Sequence, residues 1–131
     1  MRQIPKIAWS SMSMSLALVF AATISDASDA PIHAGFLHKI EASLRLPNEA
    51  KPLASYDRYY AYAIRNGRNV LVGVFLDSRV LPGIAGPTAS LHILTKESEL
   101  PVVLDGGCGV INVVLDPGSS QEAEVWCNGV A

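Results

Sequence analysis

The chain has 131 residues, of which 50% are hydrophobic and 17% charged, with a net charge of −2 and a mean hydropathy of +0.28. That length leaves room for one domain, the apolar content is too high for a disordered chain, and the mildly acidic balance without a basic patch argues against a nucleic-acid partner. No internal repeat or low-complexity tract divides it.

Arg2 and Lys6 precede an apolar run made of Met12, Met14 and residues 16–24, interrupted by serines and by Thr23. The run is too short and too polar to span a bilayer, which takes about 20 apolar residues. Ser25-Asp26-Ala27 then sets small residues at a cleavage site, with Val19-Phe20-Ala21 as a second candidate. An ordinary N-terminal helix would show a charged face, and none lies between Lys6 and Asp26. The expectation is a signal peptide over residues 1–27 and a single domain over residues 28–131, periplasmic or secreted, with no stable membrane anchor after cleavage. No cysteine follows the apolar run to carry a lipid.

Within residues 28–131 the apolar residues Phe36, Leu37, Ile40 and Leu44 recur at helical spacing and predict a helix from Ile32 to Leu46, stopped by Pro47. Residues 48–55, with Pro52 among them, read as a connector. Two β-rich runs follow, Tyr56 to Ile64 and Val70 to Leu76, on either side of Asn66-Gly67, the preferred central pair of a type I′ turn. Centring the turn there sets Tyr62 opposite Leu71, Tyr60 opposite Gly73, Arg58 opposite Phe75 and Tyr56 opposite Asp77. Tyr56, Arg58, Tyr60 and Tyr62 then share one face, and Tyr59, Ala61 and Ala63 the other. Because small residues among valines suit close packing, the helix is expected on the Tyr59, Ala61 and Ala63 face.

Pro82, Gly83, Gly86 and Pro87 mark an irregular loop from Val80 to Thr88 that follows no recognisable pattern. Three stretches beyond it read as strands: Ser90 to Thr95, Leu100 to Leu104, where Pro101 argues for an edge, and Cys108 to Leu115 as a central strand. Glu122 to Cys127 completes the set after the loop at Asp116-Pro117-Gly118. The fold class is therefore α+β: one N-terminal helix on a four- to five-stranded antiparallel sheet, with the C-terminal hairpin stapled.

The staple is a disulfide between Cys108 and Cys127, the only two cysteines, as expected of an exported chain in an oxidising compartment. Because proline suits a two-residue hairpin turn poorly, the loop between their strands should be longer and the disulfide offset by about one residue. Use of Cys108 as a nucleophile, with His92 as base, is the sharper and weaker alternative. Asp105-Gly106-Gly107-Cys108-Gly109 is not a phosphate loop, because it lacks the lysine, the following hydroxyl and a helix to receive the charge. His33, His38 and His92 show no metal spacing, so neither a metal nor a cofactor is called for.

All four tyrosines lie between Tyr56 and Tyr62, with Arg58 among them. Tyrosine supplies rigid amphipathic area and arginine a planar cation, so Tyr56, Arg58, Tyr60 and Tyr62 are candidate binding residues. The structural alternative is that aromatics favour strands, that Tyr60 covers the bare backbone of Gly73, and that Arg58 is held by Asp57, Asp77 or a loop carbonyl.

The segments Tyr56-Asp57-Arg58-Tyr59-Tyr60, Asp105-Gly106-Gly107-Cys108 and Cys127-Asn128-Gly129 resemble those of a group of small exported proteobacterial proteins of uncharacterised function. The resemblance covers most of the mature chain, implies a periplasmic address and a paired cysteine, and carries over no catalytic residue or ligand. The functional expectation is a non-enzymatic periplasmic binding or inhibitor module whose partner is another periplasmic or envelope protein. The alternatives are a small hydrolase using His92 with Asp105, and an envelope accessory protein without a ligand. N-terminal sequencing of the purified native protein should find a start near Ser28; a cytosolic protein beginning at Met1 would sink the export reading.

Overall fold

The computed structural model describes residues 31–79 and 89–129. The expected signal peptide and the Val80 to Thr88 loop lie outside the described residues. Helix α1 spans Ala34–Glu41, and the strands are β1 Tyr56–Arg65, β2 Arg68–Asp77, β3 Leu91–Ile93, β4 Val110–Leu115 and β5 Glu124–Cys127. They form one sheet in the order β3-β1-β2-β4-β5. The α+β class and the five strands agree with the sequence, but the sheet is mixed.

The helix is shorter at both ends than its apolar spacing suggests. His33 caps it, with Nδ1 accepting from the Phe36 N–H at 3.1 Å. At the other end both the N–H and the hydroxyl of Ser43 turn back to the Ile40 carbonyl, which closes the last turn before residues 44–46 can join.

The hairpin register is the expected one: Tyr60 faces Gly73, Tyr62 faces Leu71, and Tyr56 faces Asp77. Asn66 and Gly67 both take positive φ, 52° and 75°, as a type I′ turn demands. β4 pairs antiparallel with β2, and β5 antiparallel with β4.

β3 is the departure. It runs parallel to β1, setting Tyr59 beside His92. β2 ends beside Tyr56 and β3 starts beside Arg58, so the end of one and the start of the other lie at the same end of the sheet, on either side of β1. An antiparallel β3 would have to start at the far end of β1. The predicted strand at Leu100 to Leu104 does not form. The Leu100 N–H closes a tight turn onto Glu97, and the Val103 carbonyl accepts from the Asn128 side chain instead of joining a ladder.

The helix also lies on the opposite face from the one expected. Leu37 and Ile40 pack with Tyr56, Tyr60, Leu71, Phe75, Ile111 and Val113, while Ala61, Val74, Leu76 and Val110 pack with Leu100, Leu94 and Val103. An eight-residue helix buries only Leu37 and Ile40, so the sheet must supply the large side chains on that side. The small-residue face is left for an irregular segment whose backbone can approach closely. Cys108 and Cys127 are bonded, with Cα atoms 4.6 Å apart. Cys127 faces Ile111, not Cys108, so the staple joins β5 to the tight turn at Gly107–Gly109 that precedes β4, a larger offset than predicted. Closing a loop of this size removes ~3 kcal/mol of unfolded-chain entropy.

Gly73 is the tightest point of the core. A Cβ there would stand 2.9 Å from Tyr60 Cε1 and 3.3 Å from Phe75 Cε1, and both rings are fully buried. Gly73→Ala should therefore destabilise the protein by ~1–3 kcal/mol in denaturant unfolding. An unchanged midpoint would mean that the Tyr60 ring can move.

Candidate functional site

Each face of β1 carries its own polar network. On the helix side Glu41, the last residue of α1, turns inward with its side chain 6% exposed and accepts from Arg58 Nε at 2.7 Å and from Tyr60 Oη at 3.2 Å. Arg58 Nη1 donates to the Tyr56 carbonyl at 3.1 Å. Tyr56 Oη donates to the Cys108 carbonyl at 2.7 Å and accepts from the Lys51 N–H at 3.0 Å.

This arrangement corrects the expected recognition surface. Tyr56 and Tyr60 are fully buried, Tyr62 is partly buried against the same core, and Arg58 is 12% exposed and paired with Glu41. The four residues share a face, as the register requires, but that face looks into the protein. Buried side chains cannot meet a partner, and a guanidinium in that position needs its carboxylate. Burial drives the Tyr60 hydroxyl far above its ordinary range; the Glu41 charge and hydrogen bond add to this, and Arg58 opposes it.

On the opposite face Asp57 is fully buried. Its Oδ1 accepts from the Ser90 N–H at 2.9 Å and lies 2.9 Å from His92 Nε2, while Oδ2 accepts from Tyr59 Oη at 2.8 Å. The parallel register brings Tyr59 and His92 side by side, and their rings stack with centroids 4.4 Å apart and planes 9° from parallel. Tyr59 is pushed up to about 12 by burial, by its hydrogen bond to Asp57, and by the Asp57 charge.

His92 therefore has a carboxylate partner, but it is Asp57 and not Asp105. Asp105 lies beside Asn128, whose Nδ2 donates to the Asp105 carbonyl at 3.0 Å, next to β4 and β5. His92 is on β3, at the other edge of the sheet, three strand spacings or about 14 Å away. The pair on which the hydrolase alternative rests is not assembled. Asp57, in turn, ties the start of β3 to β1, which is a structural task.

A second buried carboxylate, Asp77, closes the hairpin. Lys51 Nζ contacts its Oδ2, and the Arg79 N–H donates to Oδ1 at 3.0 Å. Burial works to raise the Asp77 pKa, but the Lys51 hydrogen bond, the Arg79 amide and both cations outweigh it and hold the carboxyl below its usual range.

The surface around β5 is of another kind. Asn112 Nδ2 donates to Asn128 Oδ1 at 2.6 Å, and Asn128 Nδ2 donates to the Val103 and Asp105 carbonyls at 2.6 and 3.0 Å. These bonds hold residues 103–105 against the end of β5. Val103 packs inward, which leaves its neighbours Val102 and Leu104 85% and 92% exposed, and Trp126 on β5 is 45% exposed. Trp126 pairs with Asn112 and so points to the side away from α1, where residues 102–105 run. Glu124 shares the Trp126 side of the strand, and both Glu124 and Asp105 are exposed.

A cleft of about 170 Å³ lies between the end of α1 and the loop into β5, lined by Ile40, Leu44, Arg45, Leu115, Gln121 and Glu122 among others. It is at the opposite edge of the sheet from His92. Among the described residues no three His, Cys, Asp or Glu side chains gather as a metal site, and no helix is long and apolar enough to cross a membrane. Comparison with known protein families, curated proteins and solved structures finds no match to this chain.

Val102, Leu104, Trp126 and the role of Asp57 escape the sequence reading. Leu100 to Leu104 reads as a short apolar strand whose Pro101 argues for an edge or a strand start, and nothing local shows that its partner would be an asparagine side chain. The stretch Glu124-Val125-Trp126-Cys127 does hold a usable signal: strand alternation puts Trp126 on the same side as Glu124, opposite the disulfide.

Both perturbed tyrosines have folded pKa values above the unfolded value of 10.0. They contribute stability that is whole below about pH 10 and lost as pH rises, for Tyr59 through about 12. Spectrophotometric titration should show Tyr59 ionising near pH 12 and Tyr60 later still. Tyr59→Phe should remove the first of these steps and flatten the alkaline loss of stability. Ionisation of Tyr59 and Tyr60 near pH 10 in the folded protein would contradict both networks.

Proposed function

We propose that the chain is an exported, non-enzymatic binding module that holds another periplasmic or envelope protein through the apolar surface of Val102, Leu104 and Trp126. The observation that carries this reading is the exposure of these three side chains, two of them on a segment that Asn128 holds against the end of β5. A small domain gains nothing in stability by leaving a tryptophan and two large aliphatic groups in water, and such a patch rimmed by polar residues suits a partner. Export is supported by the order of charge, apolar run and small residues over positions 2–27 and by the paired cysteines.

The ionisable residues support binding over catalysis. Asp57, His92, Glu41, Arg58 and Asp77 are engaged with one another or with the backbone, and the cleft is remote from His92. Residues 80–88 are outside this reading.

A photo-crosslinking residue at position 104, in cells that make the protein, should give a discrete adduct that is absent with the same residue at the exposed helix position 39. Trp126→Ala should abolish the adduct, weaken binding by ~2 kcal/mol or more as an aromatic anchor does, and leave the melting temperature nearly unchanged. Equal adducts from positions 39 and 104, or insensitivity to Trp126→Ala, would remove the apolar surface from consideration and favour an accessory protein without a ligand.

A further inference from the structure

Among the described residues β5 is an outer edge of the sheet with a defined set of backbone groups to offer. The Asn128 N–H donates to the Val110 carbonyl at 3.0 Å. In this antiparallel register, residues 126 and 124 then also form the hydrogen-bonded pairs with 112 and 114. Val125 and Cys127 therefore turn their N–H and C=O groups away from β4, where no further strand follows, and no described residue bonds to them. A bond from the Gly107 N–H to the Gly129 carbonyl closes the far end of the edge. The open stretch is Glu124–Cys127. Glu124 and Trp126 share the side on which Val102 and Leu104 are exposed, whereas Val125 and Cys127 turn toward the core beneath α1.

Charge selects the occupant. Beyond Lys96 the sequence contains Glu97, Glu99, Asp105, Asp116, Glu122 and Glu124, and no lysine, arginine or histidine. Arg68 reaches Asp116 at 3.1 Å and Arg45 reaches Glu122 at 3.8 Å, but among the described residues no cation stands against Asp105 or Glu124. A second copy laid on this edge would crowd two sets of the same acids together. Resting on the binding-module reading above, we infer that β5 receives an extended basic segment of a partner protein as a sixth strand. In that segment a Lys or Arg facing Glu124 stands two residues from an apolar side chain facing Trp126 and Leu104. Main-chain bonds to Val125 and Cys127 give affinity regardless of sequence, and the alternating side chains give selectivity. Complementary charge sets the encounter and excludes acidic competitors.

The test uses an array of short peptides with Lys or Arg two residues from Leu or Phe, the same peptides with Glu for the basic residue, and versions N-methylated at alternate backbone nitrogens. They are titrated against the exported protein, in which removal of residues 1–27 leaves Trp126 as the only tryptophan. Basic peptides should shift Trp126 emission and slow hydrogen exchange at the Val125 and Cys127 amides. The acidic and the N-methylated versions should bind about tenfold more weakly or worse. Basic peptides that shift Trp126 without protecting those amides, or that bind as well when N-methylated, would overturn strand addition while leaving side-chain docking on the apolar surface in place. Equal binding of acidic peptides, or no binding by any basic one, would overturn the basic occupant. Dimerisation of the chain alone, with both amides protected, would make a second copy the occupant and also overturn the inference. Failure of the binding-module reading itself shows separately, as an adduct at position 104 that ignores Trp126→Ala.

Discussion

The ring of Tyr60 lying over Gly73 is the contact around which the domain is arranged. With no side chain at Gly73, the ring lies close to the sheet, its edge toward Phe75 with centroids 5.5 Å apart. Its hydroxyl then reaches Glu41 at the end of α1. One side chain thus joins hairpin, core and helix. Glu41 also holds Arg58, and removing either partner of such a buried pair leaves a charge uncompensated, at a cost of about 3–5 kcal/mol. The helix can be only eight residues long because the sheet itself fills the core beneath it.

That choice of face has consequences on the other side. The small residues Ala61 and Ala63 leave a shallow surface, and the chain covers it with residues 94–103, a 3-10 turn at Glu97–Glu99 between irregular stretches, anchored by Leu94, Leu100 and Val103. An irregular cover cannot bury alternate residues as a paired strand does. It is fastened by the Asn128 and Asn112 side chains and leaves Val102 and Leu104 outside. The apolar surface near β5 follows from the way the second core is closed.

Asp57 and His92 show why a carboxylate beside an imidazole is insufficient for a catalytic reading. Asp57 accepts from Ser90, Tyr59 and His92 together, which is how a fully buried acid is satisfied. The same bonds pin the parallel edge strand, which has only three residues and gains little from its own ladder. The two sheet edges then differ in kind: β3 is tied back by side chains, whereas β5 is stapled through Cys127 and, among the described residues, unpaired along its outer backbone.

The hairpin was legible from residues alone because its information is local. Asn66-Gly67 requires positive φ at two successive positions, and that sets every cross-strand pair from Tyr56 to Arg65 and the parity of both faces. The two cysteines were legible for a similar reason, since a pair with no third has one way to close. Which face receives the helix was not local: alternation says that Tyr56, Arg58, Tyr60 and Tyr62 lie together, but not what lies over them. That depended on the helix stopping at Glu41 and on volume, which made large sheet side chains necessary beneath a short helix. The direction of β3, the pairing of His92 with Asp57 instead of Asp105, and the exposure of Leu104 and Trp126 were likewise decided only in three dimensions. Each depends on which distant segment comes to lie beside another, and neither residue type nor spacing encodes that.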